Sequence, residues 1–255
     1  MMILAIEIEN SSISVGCVDK NRIYFWERIT AVIGKPSLEY AISLKSILEL
    51  YDIEPAAITG SIVSSVVPPL TRTLSAAVQK ATGTQPKIVG AGIKTGLNIR
   101  MDNPKSVGSD LICTSVAALK EYEPPIIIVS MGTATTFAVL GKDRNYIGGA
   151  ICPGIRVSLE SLTASTSQLP RISLDTPRKV IGKNTIDCMQ SGVIYGNAAM
   201  LDGMLDRMEQ ELGEPASIVA TGGIVKLLLP LLKHTVNYDG TLLLKGLREL
   251  YYRNC

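Results

Sequence analysis

One pattern occurs twice in this chain and limits what it can fold into. Met2-Ile3-Leu4-Ala5-Ile6-Glu7-Ile8 reads as a strand, Glu9-Asn10-Ser11-Ser12 as a polar turn, and Ile13-Ser14-Val15-Gly16-Cys17-Val18 as an alternating second strand. Near the middle, Ile126-Ile127-Ile128-Val129 runs into Ser130-Met131-Gly132-Thr133-Ala134-Thr135-Thr136 and then Phe137-Ala138-Val139-Leu140. Two β-hairpins with polar tips, one opening each half, predict an α/β architecture built from two related halves.

The intervening periodicity alternates in the same sense. Residues 40–50 have helical apolar spacing, residues 60–66 read as a buried strand, and Pro68 and Pro69 stop that strand and open a helix to about Thr82. The second half predicts a helix over 186–212, a strand over 216–220 and a glycine turn, Thr221-Gly222-Gly223, opening another helical segment. A helix over 242–253 closes the chain. The expected halves are residues 1–117 and 118–255.

Length and composition exclude several classes. At 255 residues the chain exceeds a common single domain of ~100–150 residues, so two domains or one large α/β unit are the natural sizes. Apolar residues make up 46% and charged residues 19%, a balance that sets disordered and fibrous chains aside. The apolar run at 124–129 falls far short of the ~20 residues that cross a bilayer, so no membrane partner is expected. The N-terminus has no basic region and reaches Glu7 too early for a signal peptide, which predicts a cytoplasmic location. A net charge of +2 without a basic run offers no footprint for nucleic acid.

Five widely spaced cysteines (Cys17, Cys113, Cys152, Cys188 and Cys255) match no zinc or redox spacing and read as ordinary buried thiols. His234 is the only histidine and reads as structural or surface. Ser-His-Asp hydrolases and multi-histidine metal enzymes lose their support, and any acid or base here should be a carboxylate.

A hairpin tip presents consecutive backbone N–H groups and small hydroxyls that can cradle phosphate oxygens. Residues 132–136 alone read equally well as a turn of small residues. Two such tips followed by a late glycine pair suggest a nucleotide held between two similar halves.

Several further segments extend this order: Ser64-Ser65-Val66-Val67-Pro68-Pro69-Leu70, Lys94-Thr95-Gly96-Leu97-Asn98-Ile99-Arg100-Met101-Asp102-Asn103-Pro104, Val107-Gly108-Ser109-Asp110, Gly148-Gly149-Ala150-Ile151-Cys152-Pro153-Gly154-Ile155, and Ala220-Thr221-Gly222-Gly223. Together the chain resembles the type III pantothenate kinases. The resemblance implies duplicated ribonuclease H-like halves of the actin, Hsp70 and sugar-kinase type around a nucleotide cleft, and ATP-dependent phosphorylation of pantothenate in coenzyme A synthesis. It implies a divalent cation such as magnesium, a monovalent cation (potassium or ammonium), and a homodimer with the substrate pocket at or near the subunit contact. Asp110 would be the general base. Glu7, Asn10, Ser11 and Ser12 would form the first phosphate loop, Gly132 and Thr133 the second, and Gly222 and Gly223 would approach the adenosine. Met101, Gly108, Ser109, Asp110, Leu111 and Thr185 would line the pantothenate pocket. Thr185 also reads as a plain helix-start residue.

The resemblance is interrupted where it matters chemically. The family's Asp-x-Gly-Asn-Thr becomes Glu7-Ile8-Glu9-Asn10-Ser11, and its Gly-Ala-Asp-Arg becomes Gly108-Ser109-Asp110-Leu111. Glu9 adds a negative charge beside an anionic ligand, a repulsion of about 4 kcal/mol at ~4 Å and an effective dielectric of ~20 unless a cation intervenes. Ser130 stands where the family has an Asp linked to the monovalent cation, so Glu9, with Glu7, is a candidate replacement metal carboxylate. Leu111 replaces an Arg and Met101 a Tyr, which removes ~1.5–3 kcal/mol of charge-assisted bonding to a substrate carboxylate. Three readings stand at this point: a pantothenate kinase, a kinase for another alcohol, and a binding or regulatory protein that does not catalyse.

Overall fold

The strand order β3-β2-β1-β4-β5 organises the first of two units in the computed structural model, which describes residues 1–255. That unit comprises residues 1–97, 102–120 and 241–255. Its elements are β1 (Met2–Ile8), β2 (Ser12–Val18), β3 (Ile23–Thr30), α1 (Ser37–Leu50), β4 (Ile58–Ser65), α2 (Pro68–Thr82), β5 (Lys87–Ile88) and α3 (Ser109–Glu121). The central strand β1 pairs antiparallel with β2 and parallel with β4.

Covered on both faces, β1 is almost wholly apolar, as a buried central strand must be. Leu4, Ile6 and Ile8 pack toward α1 and α2 with Leu44, Leu48, Leu70 and Leu74. Ile3 and Ala5 point the other way, toward Cys113 and Val116 of α3. Each such side chain contributes ~1.5–3 kcal/mol by burial, so the register is strongly fixed. Period-two alternation then puts Glu7 on the Ile3–Ala5 face, the side α3 covers.

The second unit comprises residues 98–101 and 121–240. It contains β6 (Ile126–Met131), β7 (Ala134–Leu140), β8 (Tyr146–Pro153), α4 (Ile155–Ala164), α5 (Thr185–Leu212), β9 (Ser217–Thr221) and β10 (Asn237–Tyr238). Its order, β10-β9-β6-β7-β8, repeats the first: β6 is antiparallel to β7 and parallel to β9. The duplication expected from the two hairpins is therefore a duplication of sheet topology. On one face Ile127, Val129, Phe137 and Ile218 pack with Ile194, Leu201 and Leu205 of α5. His234 is structural, with its Nδ1 3.0 Å from Asp202 of α5.

Some expectations need correction. The segment after the glycine turn forms only two short 3₁₀ turns, Ile224–Leu227 and Leu229–Leu231, because Pro230 brings no N–H to extend a helix. The C-terminal helix α6 (Leu242–Arg253) was expected in the second half. It belongs to the first unit instead, where Leu244, Leu247 and Leu250 complete the Ile3–Ala5 face. Of the five thiols, Cys17 and Cys113 are buried, Cys152 is half-buried, and Cys188 and Cys255 are exposed. Burial pushes the Cys17 thiol up to about 12. No helix is long and apolar enough to cross a membrane.

Candidate active site

Strand pairing in the first unit builds a polar row from residues far apart in sequence. Arg28 of β3 pairs with Ser14 of β2, Ser14 with Glu7 of β1, and Glu7 with Ser64 of β4. Directly opposed residues share a sheet face, so these four side chains form one line across four strands. Glu7 and Ser64 are buried, and Ser14 Oγ is buried with no hydrogen-bond partner. Burial holds the Glu7 carboxyl well above the usual carboxylate range; Glu9 and Asp110 raise it further, and Arg28 opposes them.

Asp110 is half-buried in the first turn of α3, where unpaired N–H groups favour an anion. Its carboxyl is raised by burial, with a smaller upward push from Glu9, while the backbone N–H groups of Leu111 and of Asp110 itself pull it back. The helix start is tied to the sheet through Ser109. Ser64 donates to Ser109 Oγ at 2.8 Å, and the Ser65 N–H donates to the same oxygen at 3.1 Å. Gly108 leaves room for the carboxylate: a Cβ there would lie 2.3 Å from Asp110 Oδ1. Leu111 follows, half-buried.

At the tip of the first hairpin, Glu9 N–H donates to the Ser12 carbonyl at 2.9 Å, and the buried Ser12 hydroxyl donates to Glu9 Oε2 at 2.6 Å. Arg28 Nη2 lies 3.7 Å from the same Glu9 oxygen. Asn10 and Ser11 are exposed.

The second unit carries its own polar row, in the equivalent register. Thr136 of β7 pairs with Ser130 of β6, and Ser130 with Thr221 of β9. Ser130 thus occupies in the second sheet the place of Glu7 in the first, and the row is made of hydroxyls alone. Gly132 N–H closes the hairpin tip onto the Ala134 carbonyl at 2.9 Å, and the Thr133 carbonyl accepts from Gly154 N–H at 3.0 Å. Thr133 itself is exposed. Gly222 has φ +96° and would put a Cβ 2.3 Å from the Met131 carbonyl oxygen, whereas Gly223 meets nothing within 4 Å. The glycine turn therefore seats directly against the hairpin backbone. This is a close approach that no side chain permits.

Two other expected site residues lie elsewhere in the second unit. Met101 is exposed, with its sulfur 3.8 Å from where a Cβ on Gly148 would stand. Thr185 is exposed as the first residue of α5, behind the Asn184 cap, whose side chain accepts from Asp187 N–H at 2.9 Å. No group of three or more His, Cys, Asp or Glu side chains is placed to hold a metal ion by itself. A magnesium ion carried on phosphates needs only one or two protein carboxylates, which the Glu7–Glu9–Asp110 side of the first unit provides. Sequence reading missed Arg28, Ser14 and Ser64 as site residues. Arg28 lies on β3, whose Ile23-Tyr24-Phe25-Trp26 run is a strand signal that sequence reading passed over, and its pairing with Ser14 is set only by the sheet.

Two sheets of one topology, each with a polar hairpin tip at an equivalent register, define the sugar-kinase, actin and Hsp70 class of α/β proteins. A protein from Sinorhizobium meliloti assigned as a 2-dehydro-3-deoxygalactonokinase shares this fold, with a TM-score of 0.58 and 11% identity over 98% of this chain and 96% of that one. The model of the type III pantothenate kinase family matches residues 3–207. Type III pantothenate kinases from an Exiguobacterium species and from Moorella thermoacetica are 42% and 39% identical to this chain. Each alignment covers 99% of this chain, with 99% and 100% of those proteins respectively. The chain belongs to the type III pantothenate kinase family.

Proposed function

We propose that this protein transfers the γ-phosphoryl group of ATP to the hydroxyl of pantothenate, a step of coenzyme A biosynthesis. Family membership over nearly the whole chain gives the reaction, and the observation that carries it to a site is Asp110, half-buried at the start of α3 with a raised carboxyl. A carboxylate of raised basicity suits a base that assists a loose phosphoryl transfer without needing to be strong. The substrate hydroxyl oxygen forms a bond to the γ-phosphorus, the bond from that phosphorus to the ADP oxygen breaks, and Asp110 takes the hydroxyl proton.

In this reading the tip from Glu7 to Ser12 and the tip at Gly132 and Thr133 hold phosphates, and Gly222 and Gly223 let backbone approach the adenosine. Magnesium bound with the phosphates would screen their charge, and Glu7, once ionised, is a residue that would hold it. Ser130 offers a potassium or ammonium ion a hydroxyl and no carboxylate, and a potassium titration of the rate reads whether that suffices. Gly108, Ser109, Met101, Leu111 and Thr185 are assigned to the pantothenate side. The reading includes a homodimer and a cytoplasmic location.

The test is steady-state phosphorylation of pantothenate by the purified protein with ATP, magnesium and potassium, beside Asp110→Asn. Turnover that the variant loses by ~100-fold or more supports the assignment. Absence of turnover in folded wild-type protein removes it. A second reading, transfer to a less anionic alcohol, is favoured by the apolar Met101 and Leu111; a panel of alcohols in the same assay separates the two.

A further inference from the structure

We infer that Arg28 is a positioning residue for the nucleotide phosphates, acting through Glu9: it neutralises the carboxylate that this chain carries where a glycine would leave the first loop uncharged. The inference rests on the ATP-dependent reading above and explains how the loop tolerates Glu9.

The geometry is specific. Glu9 sits in the hairpin tip between β1 and β2, where its Oε2 accepts a hydrogen bond from the Ser12 hydroxyl at 2.6 Å and lies at ion-pair distance, 3.7 Å, from Arg28 Nη2. Arg28 reaches it from the neighbouring edge strand, two strands from Glu7 in the polar row and separated from it only by the small Ser14. That side of the unit gathers three carboxylates, Glu7, Glu9 and Asp110, each close enough to influence another, and Arg28 is the cation that opposes Glu7 and pairs with Glu9. A phosphate chain arriving beside Asp110 would meet that surplus negative charge if Arg28 were absent.

The Arg28 side chain is 60% exposed and that of Glu9 28%, so the pair contributes little to folding. Its consequence falls on an incoming polyanion, whose repulsion by a bare Glu9 is long-ranged and screened by salt. This assignment competes with Glu9 as a metal ligand, because an oxygen already held by Ser12 and Arg28 has less to give a cation.

The experiment is a double-mutant cycle on the full-length protein, with wild type, Arg28→Ala, Glu9→Gly and the double variant, reading the Kd of magnesium-ATP by calorimetry at ~50 and ~300 mM salt and KM against kcat in the kinase assay. Arg28→Ala is expected to weaken ATP ~10-fold at low salt and less at high salt, to raise KM for ATP with kcat changed less than ~2-fold, and to leave the melting temperature in place. Arg28→Lys restores most of the affinity. In the Glu9→Gly background, removing Arg28 costs less than ~2-fold. An equal loss in both backgrounds, or no loss in either, overturns the inference. ATP binding that follows this cycle without transfer to pantothenate sinks the proposed reaction and leaves the role of Arg28 standing, whereas wild-type protein that does not bind ATP overturns both.

Discussion

Ser64 donates its hydroxyl hydrogen to Ser109 Oγ at 2.8 Å, and the bond joins β4 to the first residue of α3, immediately before Asp110. The Ser109 hydroxyl in turn donates to the Ser65 carbonyl at 3.1 Å. Ser109→Ala should therefore cost stability more than catalysis. A buried hydrogen bond contributes ~1 kcal/mol, which corresponds to a melting temperature lower by ~2–4 °C, with kcat within ~3-fold of wild type. Thermal unfolding and steady-state rates check this. A loss of kcat beyond ~10-fold at unchanged stability would mean that the Ser109 hydroxyl serves the substrate directly and not only by tying the start of α3 to β4.

The pH dependence of the rate follows from Asp110. The base must be ionised, and burial places its carboxyl above the ordinary value of ~3.9, so kcat/KM should fall on an acid limb lying above that value. Glu9 adds to the upward shift because a second negative charge nearby disfavours ionisation. Glu9→Gln should consequently move the limb to lower pH. An acid limb that stays in place in the variant would show that the two carboxylates do not interact.

Glu7 gives a different pH dependence, in stability. Its folded pKa is raised by burial, so the folded protein holds a proton there that the unfolded chain releases at ~4.3. The stability linked to that proton is fully present below the unfolded value and is lost as pH rises through the folded one. Glu7→Gln keeps a neutral side chain at all pH values, so it should melt higher than wild type at pH 8, with the gap closing toward pH 4. Melting curves in the absence of nucleotide, taken across that range, read the difference directly, and a pH-independent gap would contradict a Glu7 carboxyl raised by burial.

Gly222→Ala should be severe and Gly223→Ala mild. At Gly222 an alanine meets both a φ of +96° and the Met131 carbonyl oxygen 2.3 Å from its Cβ, so backbone must move. Strain of ~1–3 kcal/mol lowers the melting temperature by several degrees and should raise KM for ATP by ~10-fold or more. Gly223 has a φ of −69° and open space around it, so its alanine variant should melt with wild type. Equal melting temperatures for the two variants would mean that the turn relaxes freely.

Much of the molecule is legible in the chain alone. The hairpins at 2–18 and 126–140, α2 after its two prolines, the long α5 and α6 all follow from periodicity and turn chemistry, because burial on one or both faces leaves that mark in the sequence. β3 carries a strand-forming run, Ile23-Tyr24-Phe25-Trp26, but the chain alone does not show that Glu27 and Arg28 continue it or that it pairs with β2. The short 3₁₀ turns after Gly223 read as helix because their leucines are apolar, with Val225 and Leu228 buried in the second core and no helical ladder required.

The sequence by itself determined the class of fold and the family, since these depend on the order of motifs along the chain, and the resemblance to that family singled out Asp110 as candidate base. What only the tertiary structure decided is which side chains stand beside one another across strands. Arg28, Ser14, Glu7 and Ser64 come from four different strands and form a single row only when pairing fixes the register. The same pairing puts Ser130 in the second sheet where Glu7 stands in the first, and lays the charge of Arg28 against Glu9. Strand neighbours are set by hydrogen bonding between distant segments, and a linear pattern records which face each residue takes but not whom it meets there.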